Sequence, residues 1–241
     1  MSPHLKRFTA PDSWRIGKKA NKFITKTSPG PHAGTAIPIA VWLRDRMGLA
    51  RTMKEVKKIL GDRAVIVNGR PCKDPGIGLG VFDIISIPKM GAHYRILLDK
   101  KGNIVSIPIS EDSAKTRLCK IRDKTVVKGG KVQLNLLYGA NIITEGAYRP
   151  RDSVVVSLEE ESRFSITDHF PYAEGNIAMV IGGRHSGKVG KIIEIRKTPG
   201  SVANRVVLED LDNSEQFDTI EDYIFMVGRS EPVVREWGIE G

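Results

Sequence analysis

Cysteine is almost missing. Two residues, Cys72 and Cys119, in a chain of 241 exclude a disulfide framework and a cysteine quartet for zinc. The five histidines (His4, His32, His93, His169, His185) are scattered, with no close pair at zinc-ligand spacing. No metal and no cofactor is therefore expected. Aromatic residues make up only 6% of the chain against 40% hydrophobic, so the cores should be aliphatic. No apolar run approaches the roughly 18 residues of a spanning helix. The N-terminus is basic but lacks the apolar segment of a secretion signal. These absences predict a soluble cytoplasmic protein with no membrane partner.

One further absence decides a motif. The stretch "MVIGGRHSGKVGKIIEI" (179–195) holds Gly182, four residues, then Gly187 and Lys188. That is the start of a phosphate-binding loop, which needs a Ser or Thr hydroxyl after the lysine to hold Mg²⁺. Val189 stands there and offers no oxygen. The loop also needs a following helix whose N-terminus faces the phosphates. Gly190 and the β-branched run Lys191–Ile195 read instead as a strand, so the stretch is a hairpin. Nucleotide hydrolysis is not expected. Asp83, Asp123 and Asp152 sit in no catalytic motif, and no small-molecule substrate is expected. An RNA-modifying enzyme remains the catalytic alternative.

What the chain has is positive charge, unevenly placed. The net charge is +10. Residues 1–30 hold seven Lys/Arg and one acid; residues 31–130 hold nineteen against nine; residues 131–241 hold twelve against eighteen. Net charge speaks to partners rather than to fold. A basic front half points to a polyanion, with nucleic acid the first expectation and a solvated basic surface the bland one.

Residues 1–35 read as an extended basic arm with Pro3, Pro11, Pro29 and Pro31 and no sustained period. Phe8, Trp14 and Phe23 interleave with Lys6, Arg7, Arg15, Lys18, Lys19, Lys22 and Lys26. The cations suit phosphates and the aromatics suit bases, with order expected only against a partner. Residues 36–92 follow as a compact unit. A first helix begins at Pro38, carries Ile39, Trp42, Leu43 and Met47 on one face with Arg44 and Arg46 outside the centre of that stripe, and ends at Gly48. Thr52-Met53-Lys54-Glu55 is a capping box. In the helix it opens, Val56, Ile59 and Leu60 share one face and Lys54, Lys57 and Lys58 another. That cationic face is either solvated or RNA-bound. Val65–Val67 is a strand, and Asn68-Gly69 is a hairpin turn. Val81–Ile87 is another strand.

The middle, residues 93–172, reads as β-rich. Hairpins are expected around Lys100–Asn103 and Gly129-Gly130, a short helix from Ser110 through Leu118, and a strand from Asp152 to Leu158. The basic run Lys115–Lys124 is either part of an RNA footprint or a helix C-terminus favouring cations. Residues 173–228 are read as further strands after the glycine hairpin, at 201–209, 215–217 and 223–227, with 229–241 as a tail. Glu159–Glu161 faces solvent or a basic neighbour.

Helix, helix, hairpin, loop and strand over "TMKEVKKILGDRAVIVNGR…VFDIISIP" resemble the alpha-L RNA-binding domain. The resemblance implies RNA contacts at Arg51, Lys54, Lys57, Lys58, Arg63, Arg70 and Lys73, with Arg44 nearby. The glycine hairpin at 175–195 resembles the KOW motif, an SH3-like barrel, with Arg184, His185, Lys188 and Lys191 lining its loop. The KOW resemblance also admits a transcription elongation factor that binds polymerase. Arm, alpha-L unit, β-rich middle and KOW barrel in this order, with "HLKRFTAPDSW", "LCKIRDKTVVKGG" and "FDTIEDYIFMVG", are similar to the "four-e" family of archaeal and eukaryotic small-subunit ribosomal proteins. The short chain favours an archaeal member. That resemblance implies an α+β multidomain, non-catalytic protein of the cytoplasmic ribosome. Its partners would be small-subunit ribosomal RNA and neighbouring ribosomal proteins. Contacts at "VVKGGKVQLN" stay unassigned.

Overall fold

The computed structural model describes residues 4–32, 34–200, 202–211 and 213–229. The expected tail beyond Arg229 and the first residue of the strand expected from Ser201 lie outside them. The chain divides into two compact units: residues 1–97 with 103–115, and residues 98–102 with 116–241.

In the first unit the arm folds on its own chain. Strand β1 (Leu5–Lys6) pairs with β2 (Phe23–Ile24), Leu5 opposite Ile24. Short 3-10 turns at Arg7–Thr9 and Asp12–Trp14 lie between them. Strand β3 (Ile37–Pro38) leads into helix α1, an α-turn at Ile39–Val41 that widens into a π-helix at Trp42–Arg46. Helix α2 (Met53–Gly61) starts at the expected Thr52 cap and buries Val56 and Leu60. Strands β4 (Ile66–Val67), β5 (Arg70–Pro71) and β6 (Gly78–Leu79) follow, then β7 (Ile84–Ile87), β8 (Ala92–Leu98) and β9 (Ile104–Ile109). Strands β5-β4-β7-β8-β9 form one sheet, and β3 pairs with β6. Strands β8 and β9, which flank the hairpin turn read from sequence as opening the middle segment, belong to this sheet because β8 pairs with β7. Trp42 is fully buried, its indole N–H donating to Ser106 Oγ at 2.6 Å and its ring meeting Tyr94 edge-on at 5.5 Å. Helix α3 is a single turn, Glu111–Ala114, capped by Ser110.

The second unit holds two five-stranded antiparallel sheets. The first is built from β10 (Thr116–Val126), β11 (Val132–Leu136), β12 (Asn141–Thr144), β13 (Ser153–Ser157) and β14 (Ile166–Phe170), in the order β12-β11-β10-β13-β14. Cys119, Ile121, Leu134, Leu136, Ile142, Val154 and Val156 form its apolar cluster. The second sheet is β15 (Ile177–Val180), β16 (Val189–Arg196), β17 (Arg205–Asp210), β18 (Gln216–Ile220) and β19 (Ile224–Gly228), in the order β18-β17-β16-β15-β19. A register shift between Ile192 and Glu194 marks a bulge, which sharpens the twist of β16.

Strand β10 corrects the reading of Lys115–Lys124. Thr116 onward is strand, not helix, and Arg117 and Lys120 are buried. Successive side chains alternate between the two faces of the strand. Cys119 and Ile121 enter the apolar cluster, while Lys120 points the other way. The Lys120 ammonium donates to the carbonyls of Ile224 at 2.6 Å, Asp222 at 3.0 Å and Glu221 at 3.3 Å. All three of its donors are thus matched in a site closed to water. Burial pulls its pKa down to about 8, with the Asp222 charge opposing that fall. Arg151 adds an ion pair to Glu221 at 2.6 Å. A lysine of β10 and an arginine just ahead of β13 therefore fasten the turn that precedes β19.

Candidate nucleic-acid interface

One cationic surface lies on α2. Glu55 N–H donates to Thr52 Oγ1, Thr52 Oγ1 donates to Glu55, and Arg51 N–H donates to the other Glu55 oxygen at 2.8 Å. The Arg51 N–H and the Thr52 hydroxyl hold the Glu55 carboxyl below its ordinary pKa. This capping box fixes the start of the helix and hence the phase of its faces. Val56 and Leu60 turn inward; Lys54, Lys57 and Lys58, three and four residues apart, remain exposed on the outer face. Arg51 at the N-terminus and Arg63 just beyond the C-terminus are exposed as well.

The Asn68-Gly69 turn carries the next cations. Val67 pairs with Arg70, so the loop has two residues, and both take positive φ (49° and 73°). Glycine reaches that region without strain, and asparagine is among the few other residues that do. The Asn68 amide also locks the turn to β7, donating to Asp83 at 2.8 Å and accepting from Ile84 N–H at 2.9 Å. Arg70 and Lys73 are exposed beside it. Arg44 is half-buried and held by Asp45 at 2.9 Å, so its guanidinium is partly neutralised.

The arm divides in two. Arg7 and Trp14 were expected to face RNA, but both are buried. The Arg7 guanidinium pairs with Asp45 at 2.7 Å and donates to the carbonyl of Gly17; the Trp14 indole donates to the carbonyl of Ala36 at 3.1 Å. These two side chains hold the arm to the first unit. The outward aromatics are Phe8, 72% exposed, and Phe23, 49% exposed. His4 stacks on Phe23 at 5.6 Å and the Lys22 ammonium lies 5.4 Å from the same ring. Lys6, Arg15, Lys19, Lys22 and Lys26 are exposed; Lys18 is half-buried and pairs with Asp12. Sequence spacing alone did not separate the inward aromatic from the outward ones, because 3-10 turns this short leave no period to read.

The Gly-rich stretch of the second unit is a hairpin loop between β15 and β16. Gly187 has φ +90°, and a Cβ there would stand 1.7 Å from the Asp99 carbonyl oxygen. Arg184 and Lys191 are exposed. His185 and Lys188 turn back onto the sheet. The His185 ring packs on Phe217 at 4.8 Å. Lys188 bonds Asp210 at 3.0 Å and lies 5.0 Å over the same Phe217 ring. No helix follows the loop, so it is not built to cradle a nucleotide. Among the described residues no group of three or more His, Cys, Asp or Glu is placed to hold a metal ion. No described helix is long and apolar enough to cross a membrane.

Comparison with known proteins gives the same order of parts. Four family models match in succession: the RS4NT domain over residues 1–35, the S4 domain over 37–85, ribosomal family S4e over 90–163 and the KOW motif over 174–209. The chain is 56% identical over 240 residues to the small ribosomal subunit protein eS4 of Methanospirillum hungatei JF-1, covering 100% of both chains. It is 40% identical over 233 residues to the protein of that name from Methanocella arvoryzae, covering 96% of this chain and 97% of that one. The crystal structure of the 30S ribosomal protein S4e from Thermoplasma acidophilum matches with a TM-score of 0.67 at 26% identity, covering 82% of this chain and 97% of that chain. A fold rich in strands, an S4 domain ahead of a KOW motif, and relatives matched from end to end converge on one assignment: the chain belongs to the ribosomal S4e family.

Proposed function

We propose that this protein is a structural constituent of the small ribosomal subunit in the cytoplasm, where it binds folded ribosomal RNA and catalyses no reaction. The observation that carries this reading is the end-to-end, 56% identical relative named as a small ribosomal subunit protein. The exposed cations on α2 and beside the Asn68-Gly69 turn supply the chemistry: point charges on a rigid helix and hairpin, suited to the phosphates of structured RNA. The RNA surface comprises Arg51, Lys54, Lys57, Lys58, Arg63, Arg70 and Lys73, the exposed side of the arm with Lys6, Arg15, Lys19, Lys22, Lys26, Phe8 and Phe23, and Arg184 of the hairpin loop with Lys191 of the adjoining β16. Arg44, Lys18, His185 and Lys188 contribute less, because intramolecular partners hold them. The division of labour follows the segments 1–35, 36–92, 93–172 and 173–228. The more acidic last third faces neighbouring ribosomal proteins.

Binding to a transcript of the small-subunit RNA tests the reading. With about six to ten phosphates neutralised, affinity falls by roughly 10³–10⁵ between 50 and 200 mM salt. An RNA affinity that ignores salt contradicts it.

A further inference from the structure

The segment left without a role in the sequence, "VVKGGKVQLN", forms the turn of the β10–β11 hairpin and the start of β11. Strand β10 changes character at its midpoint. Arg117–Ile121 are buried, and Thr116–Lys120 pair with β13 on one side. From Arg122 to Val126 every residue is exposed. The register shifts between Ile121 and Asp123, a bulge that bends a strand away from its sheet. Beyond that point β10 pairs only with β11, and among the described residues no strand lies beside its other edge.

Both faces of this outer half are informative. On one, Leu134 and Ile142 still reach the apolar cluster, but Val126, opposite Val132, is 72% exposed. The other presents Thr125, Gln133 and Ile143 in one cross-strand row and Asp123, Asn135 and Asn141 in the next. Its polar groups form a ladder, Gln133 donating to Asn135 at 2.7 Å and Asn135 donating to Thr125 at 2.8 Å, while Ile143 is 60% exposed. The tip is a defined turn, with Val127 N–H donating to the Lys131 carbonyl at 2.9 Å and Gly130 N–H to Val127 at 3.1 Å. Around Gly129 and Gly130 the space is open, with nothing within 4 Å of where a Cβ would stand.

Charge selects the partner. From Lys124 to Thr144 the chain has three lysines (Lys124, Lys128, Lys131) and no carboxylate. Of the two carboxylates that flank this stretch, Asp123 and Glu145, the first is paired with Arg122 at 3.3 Å, so the projection is cationic. Lysine is depleted in the centre of protein–protein interfaces, whereas nucleic-acid interfaces are polar and positively charged. A bare glycine tip flanked by Lys128 and Lys131 admits the close approach of a sugar–phosphate backbone. The amide and hydroxyl ladder offers donors and acceptors suited to phosphate oxygens and ribose 2′-hydroxyls.

We propose that the outer half of the β10–β11 hairpin is an RNA-contacting element in its own right, with Lys128 and Lys131 on phosphates and the Thr125–Gln133–Asn135 face against the backbone of ribosomal RNA. It rests on the functional reading above and adds a contact separate from the arm, α2 and the KOW loop.

Directed cleavage from a tethered iron chelate tests it in assembled small subunits. One chain carries Lys128→Cys and a second Lys57→Cys. Both native cysteines are buried, and burial raises the Cys72 thiol to about 11, so the tether goes to the new cysteine. The expected result is strand scission of the ribosomal RNA from both positions, at different nucleotides. Scission from position 57 with none from 128 overturns the hairpin contact and leaves the functional reading standing. Scission from neither overturns both. In parallel, between 50 and 200 mM salt the affinity of K128Q/K131Q should fall by roughly tenfold less than that of the unaltered chain, because two fewer phosphates are neutralised. An unchanged salt dependence counts against the proposal.

Discussion

Trp14 and Phe8 lie six residues apart in one arm and do opposite work. Trp14 is 2% exposed and its indole is hydrogen-bonded inside the first unit; Phe8 is 72% exposed. Trp14→Ala should therefore lower stability by about 3–5 kcal/mol, read from the urea midpoint. Phe8→Ala should leave that midpoint unchanged and weaken RNA binding by about 1–3 kcal/mol if a base stacks on the ring. The sequence showed aromatics among lysines but not which way each turns, since that depends on Asp45, Gly17 and Ala36 meeting the arm from elsewhere in the chain. Lys120 makes the same point more sharply. A lysine in a basic run reads as surface, yet three carbonyls from a turn a hundred residues away enclose it. Its folded pKa of about 8 lies below the ordinary 10.5. Between those values the unfolded chain holds a proton that the folded chain has released, so stability rises with pH across the window. Urea midpoints at pH 7.5 and pH 10 should show that rise in the unaltered chain and a flatter profile in Lys120→Met. An equal rise in both contradicts the assignment.

Among elements, α2 was the most legible. Its start follows from Thr52 and Glu55, its buried side from Val56 and Leu60, and its cationic side from what remains. The Asn68-Gly69 hairpin was legible for the same reason: the signal is local and one conformation satisfies it. Strand β10 was not, because its first half is buried on both faces and its period is masked by Arg117 and Lys120. The legible element also carries the clearest functional test. Replacing Lys54, Lys57 and Lys58 together by glutamine leaves helix propensity nearly unchanged. The slope of log affinity against log salt should then become shallower by about 0.7–0.9 for each phosphate no longer neutralised, with the far-ultraviolet spectrum unaltered. A slope equal to that of the unaltered chain would remove α2 from the RNA surface.

For the whole molecule, charge and order of parts carried most of the information. The basic front half, the cationic helix and turn, and the glycine hairpin without a phosphate-binding helix were all present in the residues. The packing that joins β10 and β13 to the turn ahead of β19 was not, since it relies on bonds between residues far apart in sequence. The central claim concerns where the chain resides. Extract from the source cells is sedimented through sucrose gradients at low and at moderate salt, and each fraction is probed for this chain. The account predicts co-sedimentation with the small ribosomal subunit that survives moderate salt. A chain that stays at the top of the gradient under both conditions contradicts it.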